Sequence, residues 1–147
     1  MDLTKLRFGL DTFGDMQNDD AGSPISAGQT LRNVIEQGVF ADSLGLSNFN
    51  VGEHHRDDFA VSSPDTVLAG LATVTKNIGL GTGVTVLSSD DPIRVYQRFA
   101  TIDALSNGRA EITAGRGSFI ESFPLFGYEL SEYSVLFEEK LQILAEA

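Results

Sequence analysis

Cysteine is absent from the 147 residues. That removes disulfides and thiolate metal sites together and fits a reducing compartment, so a cytoplasmic location is the expectation. Basic residues are scarce: ten Lys and Arg stand against 21 Asp and Glu, for a net charge of −11. A nucleic-acid binder shows a basic stripe, and none is available here. No apolar run approaches the ~18 residues a membrane span requires. The opening MDLTKLRFGLDTF lacks the charged, then apolar, then small order of a secretory signal. Histidine occurs only twice, too few for a histidine-built metal site. What remains is a chain of ordinary globular composition, 41% hydrophobic and 21% charged, long enough for one domain with a real core. A small-molecule ligand is the default expectation.

Strand and helix patterns alternate along the chain. LRFGLDTF (6–13) reads as a strand, followed by a loop rich in Gly, Asn and Asp. From Ser26 to Ser43 the residues Leu31, Val34, Ile35, Val39 and Phe40 recur at roughly helical spacing. SNFNVGE (47–53) is a second strand. Ser63 and Pro64 form an N-cap and first-turn proline for a helix reaching about Lys76. IGLGTGVTVL (78–87) has the pattern of a strand covered on both faces. Asp91 and Pro92 repeat the cap-and-proline entry into IRVYQRFATIDALS, and RAEITAGRG (109–117) is a fourth strand. A last helix begins near Ser131 and ends at Ala147 without a capping residue, as though cut.

Four β-α units in sequence predict a parallel sheet with right-handed crossovers. Two architectures compete, a doubly wound open sheet and a (β/α)8 barrel. A complete barrel takes ~250 residues, so this chain would supply half of one.

Several motifs could carry chemistry. The glycines of GLGTG (79–83) alternate and lead into more strand, which excludes the dinucleotide fingerprint. They either let a neighbour pack closely, or let a flat ligand lie on the backbone at Gly81 and Gly83. Asp91 is explained by the helix entry, and Asp57 and Asp58 read as solvated loop charges. Asp103 reads as an orienting group for Arg109 or for backbone. Arg116 lies in AGRGS at the end of strand 4, where a parallel fold opens its ligand face. Its guanidinium suits a phosphate, or else it pairs with a nearby acid. His54 and His55 follow strand 2 on the same face. Side chains of adjacent extended residues point opposite ways, so zinc is not expected. One imidazole could face a pocket as a general acid–base, its unperturbed pKa of about 6.5 suiting that task. The other would bond or pack behind it, and both could equally be packing residues.

Together EHH (53–55), the strand-3 GTG-V, the P-I-R helix entry, the D-x-L-S-x-G-R turn and the strand-4 G-R-G resemble the bacterial luciferase-like flavin monooxygenases. The resemblance spans nearly the whole chain, taken as a single domain over 1–147. It implies a (β/α)8 barrel of which this chain is the N-terminal half. The implied cofactor is reduced FMN, used with O2 to oxidise an aldehyde, sulfonate or similar small organic substrate. By motif position His54 matches the catalytic histidine and Arg116 the arginine on the FMN phosphate. Gly83 and Val84 match a pair joined by a non-prolyl cis peptide beneath the flavin ring, and Glu53 falls beside the flavin pocket. A cousin group uses the deazaflavin F420 instead. The family is about twice as long as this chain. The isolated half is therefore expected to be inactive, and its open sheet edges are expected to pair with a second copy or another half-barrel.

Overall fold

A computed structural model describes residues 6–147; residues 1–5 of the stretch read for a secretory signal lie outside it. Strands β1 (Gly9–Thr12), β2 (Asn48–Val51), β3 (Gly79–Thr82) and β5 (Ala110–Glu111) form one parallel sheet in the order β1-β2-β3-β5. The pair β4 (Thr85–Val86) and β6 (Ala114–Gly115) forms a second small parallel ladder. Helices α1 (Ala27–Ser43), α2 (Pro64–Val74) and α3 (Pro92–Ser106) connect successive strands. Helices α4 (Ser122–Phe126) and α5 (Tyr133–Glu146) complete the chain. Spatial order follows chain order, so the sheet lacks the reversal that defines a doubly wound fold. Of the two architectures open to the sequence, this is the barrel type.

One sheet face is oily and the other polar. Phe49, Val51 and Leu80 are buried with Val34 and Ala41 of α1, Leu68 and Leu71 of α2, and Val95, Phe99 and Ile102 of α3. On the opposite face Asn50 Nδ2 donates to Asp11 Oδ1 at 2.6 Å, and Asn48 Nδ2 donates to Glu111 Oε2 at 2.9 Å. The strand glycines make room for these amides. A Cβ at Gly81 would stand 2.4 Å from Asn50 Oδ1, and one at Gly79 would stand 2.7 Å from Asn48 Nδ2. Of the two readings of GLGTG, close packing therefore accounts for Gly81.

Of the two helix caps expected from sequence, the one at Asp91 forms and the one at Ser63 does not. Ser26 accepts from Gln29 N, and Asp91 accepts from Arg94 N at 2.9 Å, each satisfying a free first-turn donor. Ser63 makes no such bond; its hydroxyl turns to the side chains of Asp65 and Thr66. Two strands are shorter than their patterns predict. The run 78–87 breaks after Thr82 and resumes at Thr85, and the run 109–117 breaks between Glu111 and Ala114. The last helix starts at Tyr133, after a 3-10 turn over Leu130–Glu132. Asp103 accepts from Ala110 N, which fulfils the backbone option. Arg109 donates instead to the carbonyls of Ala72, Thr75, Ile78 and Ser106, closing the C-terminal end of α2.

No helix among the described residues is long and apolar enough to cross a membrane.

Candidate functional site

Because the strands run parallel, their C-terminal ends open together. A cleft of about 420 Å3 lies there, lined by Glu53 and His54 after β2, Gly83 and Val84 after β3, and Arg116 after β6. Cavities of this size hold small ligands. All five residues singled out from the sequence thus meet in one place.

His54 is held by rings. Phe59 stacks on it with centroids 4.1 Å apart and planes 25° apart. Phe13 and Phe119 meet it edge-on at 5.1 and 4.6 Å. A glycine sets up this clamp: a Cβ on Gly52 would lie 2.2 Å from the Phe13 ring, so only glycine lets Phe13 lie over the end of β2. The imidazole is 7% exposed. Its Nδ1 lies 3.5 Å from Glu121 Oε1 and is sealed from solvent without a hydrogen bond.

His55 does turn away from its neighbour. Its Nε2 lies 2.9 Å from Glu53 Oε1, while Glu53 Oε2 accepts from Val86 N at 3.2 Å. Both Glu53 oxygens are therefore engaged, and the residue ties the loop after β2 to β4. Burial pushes the Glu53 carboxyl above its usual range, partly offset by the hydrogen bonds from His55 and Val86.

The far wall is backbone. The peptide bond between Gly83 and Val84 is cis. A Cβ at Gly83 would meet Asn50 Cβ at 3.5 Å and Asp11 Oδ1 at 3.7 Å, ordinary contacts, so this position, unlike Gly81, would admit a side chain without a clash. At Gly115 a Cβ would come within 2.6 Å of Val84 Cγ2, so β6 lies directly against the cis pair. Arg116 projects beyond it. Its guanidinium lies over the rings of Tyr133 and Phe137, at 5.3 and 6.0 Å from their centroids, and has no carboxylate within ion-pair distance among the described residues. The acid-paired reading of Arg116 is excluded within those residues. Stacking on α5 rings holds the planar fork in place with its donors available.

Sequence reasoning missed the aromatic clamp, Glu121 and Tyr133. Helix α4, which carries Glu121 at its entry, spans five residues and has too short a pattern to register. The Phe13, Phe59 and Phe119 rings come from three loops, and no spacing rule joins them.

Comparisons with known proteins bear on the family and the fold. The family model described as luciferase-like monooxygenase matches residues 10–147. Limonene 1,2-monooxygenase of Rhodococcus erythropolis is 33% identical over 138 residues, covering 93% of this chain and 36% of that enzyme. The oxygenating constituent of 3,6-diketocamphane monooxygenase from Pseudomonas putida, solved with FMN, superposes with a TM-score of 0.82 at 22% identity, over 95% of this chain and 38% of that one. An F420-dependent secondary alcohol dehydrogenase shares the fold with a TM-score of 0.74 at 18% identity, over 96% of this chain and 41% of that one. The chain covers 26–41% of the length of eight curated relatives that it matches. The chain belongs to the luciferase-like monooxygenase family.

Proposed function

We propose that this chain carries the flavin-facing part of an FMN-dependent monooxygenase that oxidises a small organic molecule. The observation that carries the reading is the convergence on one cleft of His54, the Gly83–Val84 pair and Arg116, which has no carboxylate partner among the described residues. The donor set suits a phosphorylated flat ring. Arg116, flanked by Gly115 and Gly117, would grip the phosphate by a planar charge-assisted fork. The wall at Gly83 and Val84 would support the ring, with Glu53 bordering it. Reduced flavin, when bound, supplies the electrons that activate O2. The protein's own part is to hold that ring, exclude water with Phe13 and Phe119, and move a proton at His54.

The test is substitution of His54 by alanine in an enzyme that carries this chain. Turnover should fall about 100-fold or more, the usual worth of a general acid–base group, while FMN affinity changes little. Unchanged turnover would remove His54 from the chemistry. A second reading, hydride transfer with F420, draws on the shared fold of the alcohol dehydrogenase. Titration with each chromophore separates them, and binding of F420 alone would overturn the monooxygenase reading.

A further inference from the structure

We propose that Glu121 is a positioning residue that keeps the proton of neutral His54 on Nδ1, leaving Nε2 as the basic nitrogen. The functional consequence rests on the proposed role of His54. The placement of the proton does not.

Three observations combine. First, the ring is clamped by Phe59, Phe13 and Phe119, so its position is fixed and the remaining freedom is which nitrogen bears the proton. A neutral imidazole has one donor and one acceptor nitrogen, and the partner of one decides the role of the other. Second, Nδ1 is sealed from solvent without a hydrogen bond, and the only ion-pair partner of the ring among the described residues is Glu121 Oε1 at 3.5 Å. A charge-assisted bond spans about 2.7–2.9 Å. The gap is small, and such contacts are commonly long before ligand enters. A carboxylate can only accept, so it favours the Nδ1–H form.

Third, among the described residues Glu121 makes no other ion pair. It stands at the entry of α4, yet its side chain makes no capping bond there. The other charged groups nearby are already engaged. Glu53 is engaged by His55 and Val86 N, and Asp58 binds Arg56 through both oxygens at 2.9 and 2.8 Å. Arg56 lies over the Phe119 ring at 5.3 Å, with its guanidinium already paired to Asp58. Sequence gives no hint of this pair, because 67 positions separate the two residues (121 less 54). The fold brings α4 over the end of β2.

The chain's two histidines make the test direct. Two-bond nitrogen–proton spectra of the 15N-labelled chain at about pH 9, well above the ordinary imidazole range, report the tautomer of each ring, and a His55→Gln sample assigns them. Wild-type His54 should show Nδ1 at the protonated shift and Nε2 at the unprotonated shift. In Glu121→Ala the two should exchange or average. Glu121→Gln, whose carboxamide oxygen still accepts, should restore the wild-type pattern. An Nε2–H tautomer in the wild type overturns the proposal without any variant, as does an unchanged pattern in a folded Glu121→Ala. No flavin is present in these samples. FMN titration of the same material therefore tests the cofactor reading separately, and the predicted tautomer pattern supports the proposal whether or not FMN binds.

Discussion

Asp42, in the last turn of α1, accepts three backbone N–H bonds, from Lys76, Asn77 and Ile78 at 2.8, 2.9 and 2.8 Å. Burial acts to raise its pKa, but those three donors outweigh it with help from Arg109, and the carboxyl is held below the usual range. A depressed folded value adds stability above the unfolded value near ~3.9, and that stability is lost as pH falls through the folded value. Asp42→Ala should therefore be less stable at neutral pH, by about 1 kcal/mol given the partial exposure. The difference from wild type should shrink on acidification below about pH 4. Parallel denaturation curves across pH check this, and a gap that stays constant down to pH 2 would contradict it. None of this was legible in sequence. Asp42 reads as one more helix charge, and its partners lie 34–36 positions away. Asp91, by contrast, acts within three residues of itself and was legible at once.

At the scale of elements, α1 shows how small residues mark a packed face. The apolar spacing pointed to Leu31, Val34, Ile35, Val39 and Phe40, yet Val39 and Phe40 are 39% and 64% exposed, while Gly38 and Ala41 are buried. A Cβ on Gly38 would stand 2.5 Å from Leu71 Cδ2 and 3.4 Å from Phe49 Cδ1, and both neighbours are locked in the core. Gly38→Ala should thus destabilise by about 1–3 kcal/mol by overpacking, despite the better helix former. Gly28→Ala, on the exposed first turn with only Arg32 Nη1 at 3.7 Å, should be neutral or stabilising by up to about 1 kcal/mol. Urea midpoints of the two variants decide between packing and propensity. Equal effects of one sign would contradict the account. The same limit applies to strands. The run 78–87 carried the right composition throughout, but its break at the cis Gly83–Val84 bond has no signature in hydrophobic pattern. Only the resemblance placed it. The alternation of elements was legible because each β-α unit repeats the same two periodicities, while the order of the sheet, which separates a barrel from a doubly wound fold, was not.

Across the whole molecule, the sheet has two free edges among the described residues, β1 and β5, and a polar face that no helix covers. Phe8 just before β1 and Leu10 within it stand 66% and 48% exposed, and Ile112 stands 37% exposed beyond β5. Unpaired edges flanked by apolar side chains invite pairing. We propose that the isolated chain associates through these edges. Sedimentation should show mass rising with concentration in the micromolar range, and a monomer throughout would contradict it.

The proposed function rests on the cleft at the C-terminal strand ends. If Arg116 reads a phosphate there, the chain must distinguish FMN from riboflavin, which carries the same ring without that group. Fluorescence titration of both flavins is the direct measurement. The account predicts that FMN binds about 10–100-fold more tightly, the worth of a charge-assisted hydrogen bond of about 1.5–3 kcal/mol, and that Arg116→Ala removes the difference. Equal affinity of the wild-type chain for the two flavins would contradict it.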